Sequence, residues 1–128
     1  MRQENIPEII LEKEVLMMGG KRFVFDIDGV ITKLQETLDY SLAAPNTSMI
    51  DVVNKLYDMG NYIVFFTARG YVTGIDWREV TEQQFLRWGV KYHELHFGKP
   101  NADYYIDDKF VGANQLLQLF DRDINECR

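Results

Sequence analysis

The reading of this chain turns on Lys21 to Thr32, KRFVFDIDGVIT. Three strand-forming residues, Phe23, Val24 and Phe25, run straight into Asp26 and Asp28, and Gly29 follows at once. A carboxylate taken out of water without a partner costs so much that the group normally neutralises instead. Two acids one residue apart at the end of a buried run are therefore either solvated charges just past a strand, or they hold a metal and do chemistry together.

Working outward from this stretch, short apolar runs alternate with amphipathic segments that carry helix end signals, the pattern of a parallel sheet with helical crossovers. The first strand is read as Phe23 to Ile27. A helix follows from Ser48 to Met59, with Asn46 or Thr47 as cap, Met49, Val52, Val53 and Leu56 as its stripe, and Gly60 as terminator. Tyr62 to Phe66, YIVFF, reads as a strand buried on both faces. A second helix spans Trp77 to Trp88, with Asp76 as cap, Glu79 three residues further on and Gly89 at its end. Tyr92 to Phe97 and Tyr104 to Ile106 complete a four-strand set, and Ala113 to Phe120 closes the chain as a helix. Residues 1–20 read as an N-terminal arm or helix packed on the domain or on a second subunit. A hairpin across Gly19-Gly20 is the competing reading, weakened if the Phe23 strand is central and has both edges occupied. Residues 21–128 read as one catalytic domain, Rossmann-like and three-layered about a mainly parallel sheet.

Size and composition narrow the function classes. A chain of 128 residues, 46% hydrophobic, closes one ordinary core. Its formal charge of -6 argues against tight binding to phosphate backbones, so nucleic acid is not expected as a partner. The single cysteine, Cys127, forms no disulfide within the chain, which fits a reducing compartment. No apolar run approaches the roughly 20 residues that span a bilayer, and the start does not read as a signal peptide, so no membrane partner and a cytoplasmic location are expected.

The strand ends carry the chemistry. Loops outside the carboxyl ends of parallel strands form the ligand crevice. Asp26 and Asp28 follow the first strand, Thr67 and then Ala68-Arg69-Gly70 the second, Lys99 the third, and Asp107-Asp108 the expected fourth. Carboxylates, a hydroxyl and an ammonium gathered at one edge suit phosphoryl transfer through an aspartate. A carboxylate attacking an anionic phosphorus needs a divalent cation between them, and magnesium, which takes a few carboxylates and keeps waters, suits Asp26 and Asp107, with Asp108 binding directly or orienting from behind. Asp26 is the expected nucleophile. Asp28 would protonate the leaving oxygen and then take a proton from the attacking water. Thr67 would donate to a phosphoryl oxygen, Lys99 would balance charge, and Gly29 would let the backbone turn closely beneath the phosphate. Ala68 and Arg69, with Tyr71 nearby, stand on the loop next to the substrate, with packing or a salt bridge as the competing role for Arg69. His93 and His96, three apart on a strand, point to opposite faces and are not read as a metal pair.

These residues, in this order, resemble the haloacid dehalogenase (HAD) superfamily of aspartate-nucleophile phosphatases. Asp26-Ile27-Asp28-Gly29 looks like its first motif, Thr67 its second, Lys99 its third and Asp107-Asp108 its fourth. The resemblance covers Arg22 to about Gln118. It implies a HAD-like fold, Asp26 as nucleophile, Asp28 as acid/base, and magnesium held by Asp26, Asp107 and the main-chain carbonyl of Asp28. Between Asp28 and Thr67, and again between Thr67 and Lys99, there is room for one helix and not for a cap domain. A capless member resembles those that recruit a neighbouring subunit over the site or take a large substrate in an open cleft. The stretches FFTARG, GIDWREVTEQQFLRWGVKYHEL and GKPNADYYIDDK further resemble a small subgroup associated with capsular and surface-polysaccharide biosynthesis, which implies a sugar phosphate or related small phosphorylated metabolite. Two alternatives stay open: a receiver-like phosphoacceptor domain, whose acceptor follows the middle strand, and a non-catalytic partner subunit that keeps the fold.

Overall fold

The computed structural model describes residues 19–126, with side chains up to residue 121. Residues 1–18 of the N-terminal arm, and Cys127, lie outside the described residues. Three parallel strands form one open sheet in the order β1-β2-β3: β1 is Arg22–Phe25, β2 is Tyr62–Thr67 and β3 is Glu94–Phe97. Arg22 pairs with Tyr62 and Phe25 with Phe65, while Val64 pairs with Glu94 and Thr67 with Phe97. Two crossovers join them, through α1 (Thr47–Asp58) and α2 (Arg78–Trp88), and α3 (Ala113–Glu126) follows β3. The domain is α/β and Rossmann-like.

The pairing register sorts side chains between two faces, since successive residues of a strand alternate. Phe23, Phe25, Ile63, Phe65, Leu95 and Phe97 share one face. Crossovers of the usual right hand that step in one direction across a sheet put their helices on the same side. The burial agrees, for Phe25, Ile63, Phe65 and Leu95 join Val53 and Leu56 of α1, Phe85 of α2 and Leu116, Leu119 and Phe120 of α3 in one cluster. Phe65 sits at its centre, with Phe25 at 5.7 Å on one side and Phe85 edge-on at 4.8 Å on the other. On the opposite face Val24 is 61% exposed, and Val64 is buried outside that cluster.

Local signals account for the helix ends. The Asn46 side chain accepts the Met49 N–H at 3.2 Å, which satisfies one orphan donor and starts α1 one residue ahead of the expected boundary. Asp76 does not act as the formal cap of α2 but accepts the Arg78 N–H at 3.0 Å, while Trp77 occupies the cap position without a side-chain bond. Gly89, in the left-handed region, ends that helix.

Two expectations are corrected. Tyr104 to Ile106 forms no strand: Tyr104 is 84% and Ile106 96% exposed, in an irregular segment between β3 and α3. With that strand missing, β1 is an edge and not a central strand of the described sheet. Tyr105 explains part of the departure, because its ring lies 4.0 Å under the Lys99 ammonium and its hydroxyl donates to the Pro100 carbonyl, which folds the segment back towards β3. Among the described residues, no helix is long and apolar enough to cross a membrane.

Candidate functional site

The carboxyl ends of the three strands bring most of the expected residues together. Ile27, between the two acids, is fully buried, and its carbonyl accepts the N–H groups of Val30, Ile31 and Thr32 at 3.0, 2.8 and 3.1 Å. That tight wrap follows from an apolar residue placed between two polar ones just past a strand: Ile27 goes into the core, and Asp26 and Asp28 stay at the rim. Gly29 has φ +86°, the left-handed conformation that the turn needs. Asp26 Oδ1 accepts the Ile27 N–H at 2.8 Å, and Asp26 Oδ2 lies 3.4 Å from Lys99 Nζ. The Lys99 N–H in turn donates to the Thr67 carbonyl at 3.1 Å, so the loop after β3 is tied to the end of β2. The Thr67 hydroxyl is buried and accepts the Arg69 N–H at 3.1 Å, which leaves its own hydrogen free to donate.

Arg69 has a different place from the one expected. Its side chain is fully buried, with Nε and Nη2 donating to the two oxygens of Asp28 at 3.0 Å each. Nη1 donates to Thr81 Oγ1 at 2.9 Å and to Gln84 Oε1 at 2.7 Å. The guanidinium also lies over the Tyr40 ring, 4.9 Å from its centroid. Four of its five N–H donors are thus used inside the protein, and Arg69 is no longer a candidate for touching substrate beyond the phosphate. Of the two roles open to it in the sequence, the ion pair is the one observed.

The partners of Arg69 on α2 were not singled out from the sequence. Thr81 and Gln84 stand with Phe85 on the buried side of α2, where a helix normally carries apolar residues. Polar residues at stripe positions were the available signal, and they are what makes the α2 stripe only loosely periodic. Gln84 Nε2 also donates to the Tyr40 carbonyl at 2.6 Å, so α2 is bonded to the loop after β1. Burial, and behind it the Asp28 carboxylate, push the Tyr40 phenol above its usual value, with Arg69 pulling the other way. The Trp77 ring stands edge-on to Tyr40 at 5.3 Å, with its Nε1 buried and without a hydrogen-bond partner. A small cavity of about 50 Å³ opens beside this network, lined by Leu38, Tyr40, Ala68, Gly70, Val72 and Asn101.

Among the described residues, Asp107 and Asp108 do not complete a cluster of three acids with Asp26 and Asp28. They lie on the exposed segment before α3, where Asp107 Oδ1 accepts the Lys109 N–H at 2.8 Å. That bond first, and Asp108 next, hold the Asp107 carboxyl below its ordinary value. Among the described residues, no three His, Cys, Asp or Glu side chains converge as metal ligands would. Asp26 faces Lys99 and Asp28 faces Arg69. The fourth strand was to carry Asp107 to the sheet edge, and its absence leaves the acid on a loop.

The two histidines take other partners. His93 stacks between Tyr57 at 4.7 Å and Tyr62 at 4.2 Å and accepts the Ile63 N–H on Nδ1 at 3.0 Å. His96 Nε2 lies 2.6 Å from Glu94 Oε1.

No family model matches the chain. No curated protein matches it either. Among solved structures, a structural-genomics target from Vibrio cholerae is similar in fold, with a TM-score of 0.70 and 25% identity over 80% of this chain and 98% of that one. A chain of a Pnkp1/Rnl/Hen1 complex is similar with a TM-score of 0.53 and 18% identity over 83% of this chain and 44% of that one, a likeness of fold alone. The chain thus spans nearly all of one neighbour and less than half of the other.

Proposed function

We propose that this chain is a phosphomonoester phosphatase of the HAD type that works through an aspartyl phosphate on Asp26. The observation that carries the reading is the pairing of Asp26 with Lys99 beside an independently held Asp28, both at the carboxyl end of one strand with Thr67 on its neighbour. A lysine next to the attacking carboxylate offsets part of the charge that meets an incoming phosphate. In the first half-reaction a carboxylate oxygen of Asp26 bonds to phosphorus while the ester P–O bond breaks. Its electron pair leaves with the alcohol oxygen, which takes a proton from Asp28. In the second, water attacks the phosphorus, Asp28 takes a proton from it, and the Asp26 carboxylate departs with the electrons of the acyl–phosphate bond. Thr67 would steady a phosphoryl oxygen through its free hydrogen.

Magnesium belongs to the proposal: Asp26, with Asp107 or Asp108, would hold it, and a divalent cation would supply charge neutralisation at the phosphate when bound. The substrate in this reading is a sugar phosphate or related small metabolite, and a second subunit over the open site is part of the same proposal. Within the described sheet the middle strand, β2, delivers Thr67 and not an acid, which weighs against a receiver domain, whose phosphoacceptor follows that strand.

The test is phosphate release from sugar phosphates, nucleotides and 4-nitrophenyl phosphate, with magnesium or with chelator, for the wild type and Asp26→Asn. Turnover that needs the cation and disappears in the variant is the expected result. No release from any of these compounds overturns the reading.

A further inference from the structure

The small cavity beside Tyr40 has a wall of definite chemistry. No Asp, Glu, Lys, Arg or His lines it. Leu38, 53% exposed, and Val72, 66% exposed, reach it from two different loops. Single exposed apolar side chains are ordinary, but two on one cavity wall present a carbon surface to whatever enters. Asn101 also lines the cavity, and its exposed side-chain amide makes no hydrogen bond among the described residues. By chain position the cavity adjoins the residues of the proposed reaction. Ala68 and Gly70 on its wall stand one and three residues after Thr67, and Asn101 stands two after Lys99. We propose that this cavity receives the leaving group of the substrate, that the group is a neutral polyol, and that Asn101 selects it by hydrogen bonding to a hydroxyl. This rests on the phosphatase reading above.

The lining decides between three kinds of leaving group. An amide both donates and accepts, and a hydroxyl matches it in either sense. An ammonium or carboxylate entering here would shed water against Leu38, Val72 and Ala68 and meet no opposite charge. A bare alkyl chain would leave the Asn101 amide facing carbon, without the water it had before. The volume of about 50 Å³ takes on the order of four water-sized groups, so a two- or three-carbon fragment fits and a longer ligand leaves its remainder in solvent. Asn101 is also held in place for the task. The Lys99 N–H donates to the Thr67 carbonyl at 3.1 Å, the Pro100 ring fixes its own backbone, and the Pro100 carbonyl accepts the Tyr105 hydroxyl.

The test measures kcat/KM of the full chain, with magnesium, on three esters of one chain length: glycerol 3-phosphate, propyl phosphate and O-phosphoserine. 4-Nitrophenyl phosphate serves as a general phosphatase probe. The wild type should prefer glycerol 3-phosphate to each of the other two by about 10-fold or more. Asn101→Leu, which removes donor and acceptor at nearly constant size, should lower the glycerol-to-propyl ratio by about 3- to 10-fold, the worth of one neutral hydrogen bond. Inhibition by inorganic phosphate, which has no leaving group, should change by less than about two-fold, as for independent sites. Should Asn101→Leu fail to fold by circular dichroism, Asn101→Ala reads the same ratio. Four results overturn the inference and leave the phosphatase reading standing: an unchanged ratio in the variant, phosphate inhibition weakened beyond that bound, a wild type without preference for the glycerol ester, or turnover of the aryl ester alone. Inertness towards all four esters overturns both.

Discussion

Gly70 illustrates how tightly single residues are constrained at the site. It follows Arg69 with φ +80°, and a Cβ there would run into the Ile75 carbonyl oxygen. Both the left-handed backbone and the close approach require glycine, so Gly70→Ala should cost about 2 kcal/mol or more, read as a lowered midpoint in urea unfolding. Gly112 makes the control: its φ is not in that region, and an added Cβ would meet Phe110 only at ordinary contact distance, 3.8 Å. Gly112→Ala should be neutral within about 0.5 kcal/mol. The strand ends were legible in the sequence: Asp26, Asp28, Thr67 and Lys99 stand at one edge of the sheet. The role of Arg69 was not, because a loop arginine reads the same whether it faces solvent or a buried carboxylate. Only the packing of α2 closes that choice, by placing Thr81 and Gln84 beneath the guanidinium.

Among the elements, those with strong periodicity and punctuation came out within a residue or two of their expected bounds. α1 had both a capping asparagine and a terminal glycine, and β2 was an unbroken apolar run. The Tyr104–Ile106 segment had neither length nor caps. Three apolar residues make a strand only if a partner edge draws them in, and here Tyr105 is engaged with Lys99 and Pro100 instead. Ile106 is 96% exposed in this arrangement, so Ile106→Ser should change stability by no more than about 0.5 kcal/mol. A loss of 2 kcal/mol or more in chemical denaturation would mean that Ile106 is buried in a fourth strand, the arrangement first read from the sequence. The same measurement bears on the cation, since Asp107 is the residue that directly follows.

At the scale of the whole molecule, the exposed face of the sheet carries a charged link across all three strands. Glu94 of β3 accepts from Tyr62 of β2 and pairs with Arg22 of β1 at 3.4 Å, while His96 lies on its other oxygen. The His96 bond first, then the Tyr62 bond, lower the Glu94 carboxyl from 4.5 to about 2. A carboxyl depressed by folding stabilises the folded state above its unfolded value, and that contribution is lost as pH falls through the folded value. Thermal unfolding of the wild type should therefore weaken from about pH 4.5 down to about pH 2, and Glu94→Gln should flatten that part of the profile while leaving its shape near neutrality alone. An unchanged acid limb in the variant would show that the link contributes nothing measurable, the usual outcome for isolated surface pairs.

The sequence by itself determined the alternation of strand and helix, the parallel sheet and the acids, hydroxyl and ammonium waiting at its carboxyl edge. These follow from local periodicity, end signals and the cost of burying charge, all of which are written within a few neighbouring residues. Tertiary structure alone decided that Tyr104 to Ile106 stays out of the described sheet, that β1 is an edge of that sheet, and that Arg69 turns inward to grip Asp28 with Thr32 sharing one oxygen. Each of those depends on which distant surface offers a partner, and hydrogen-bond partners tens of residues away, such as Asp28 and Arg69, leave no periodic mark on the chain.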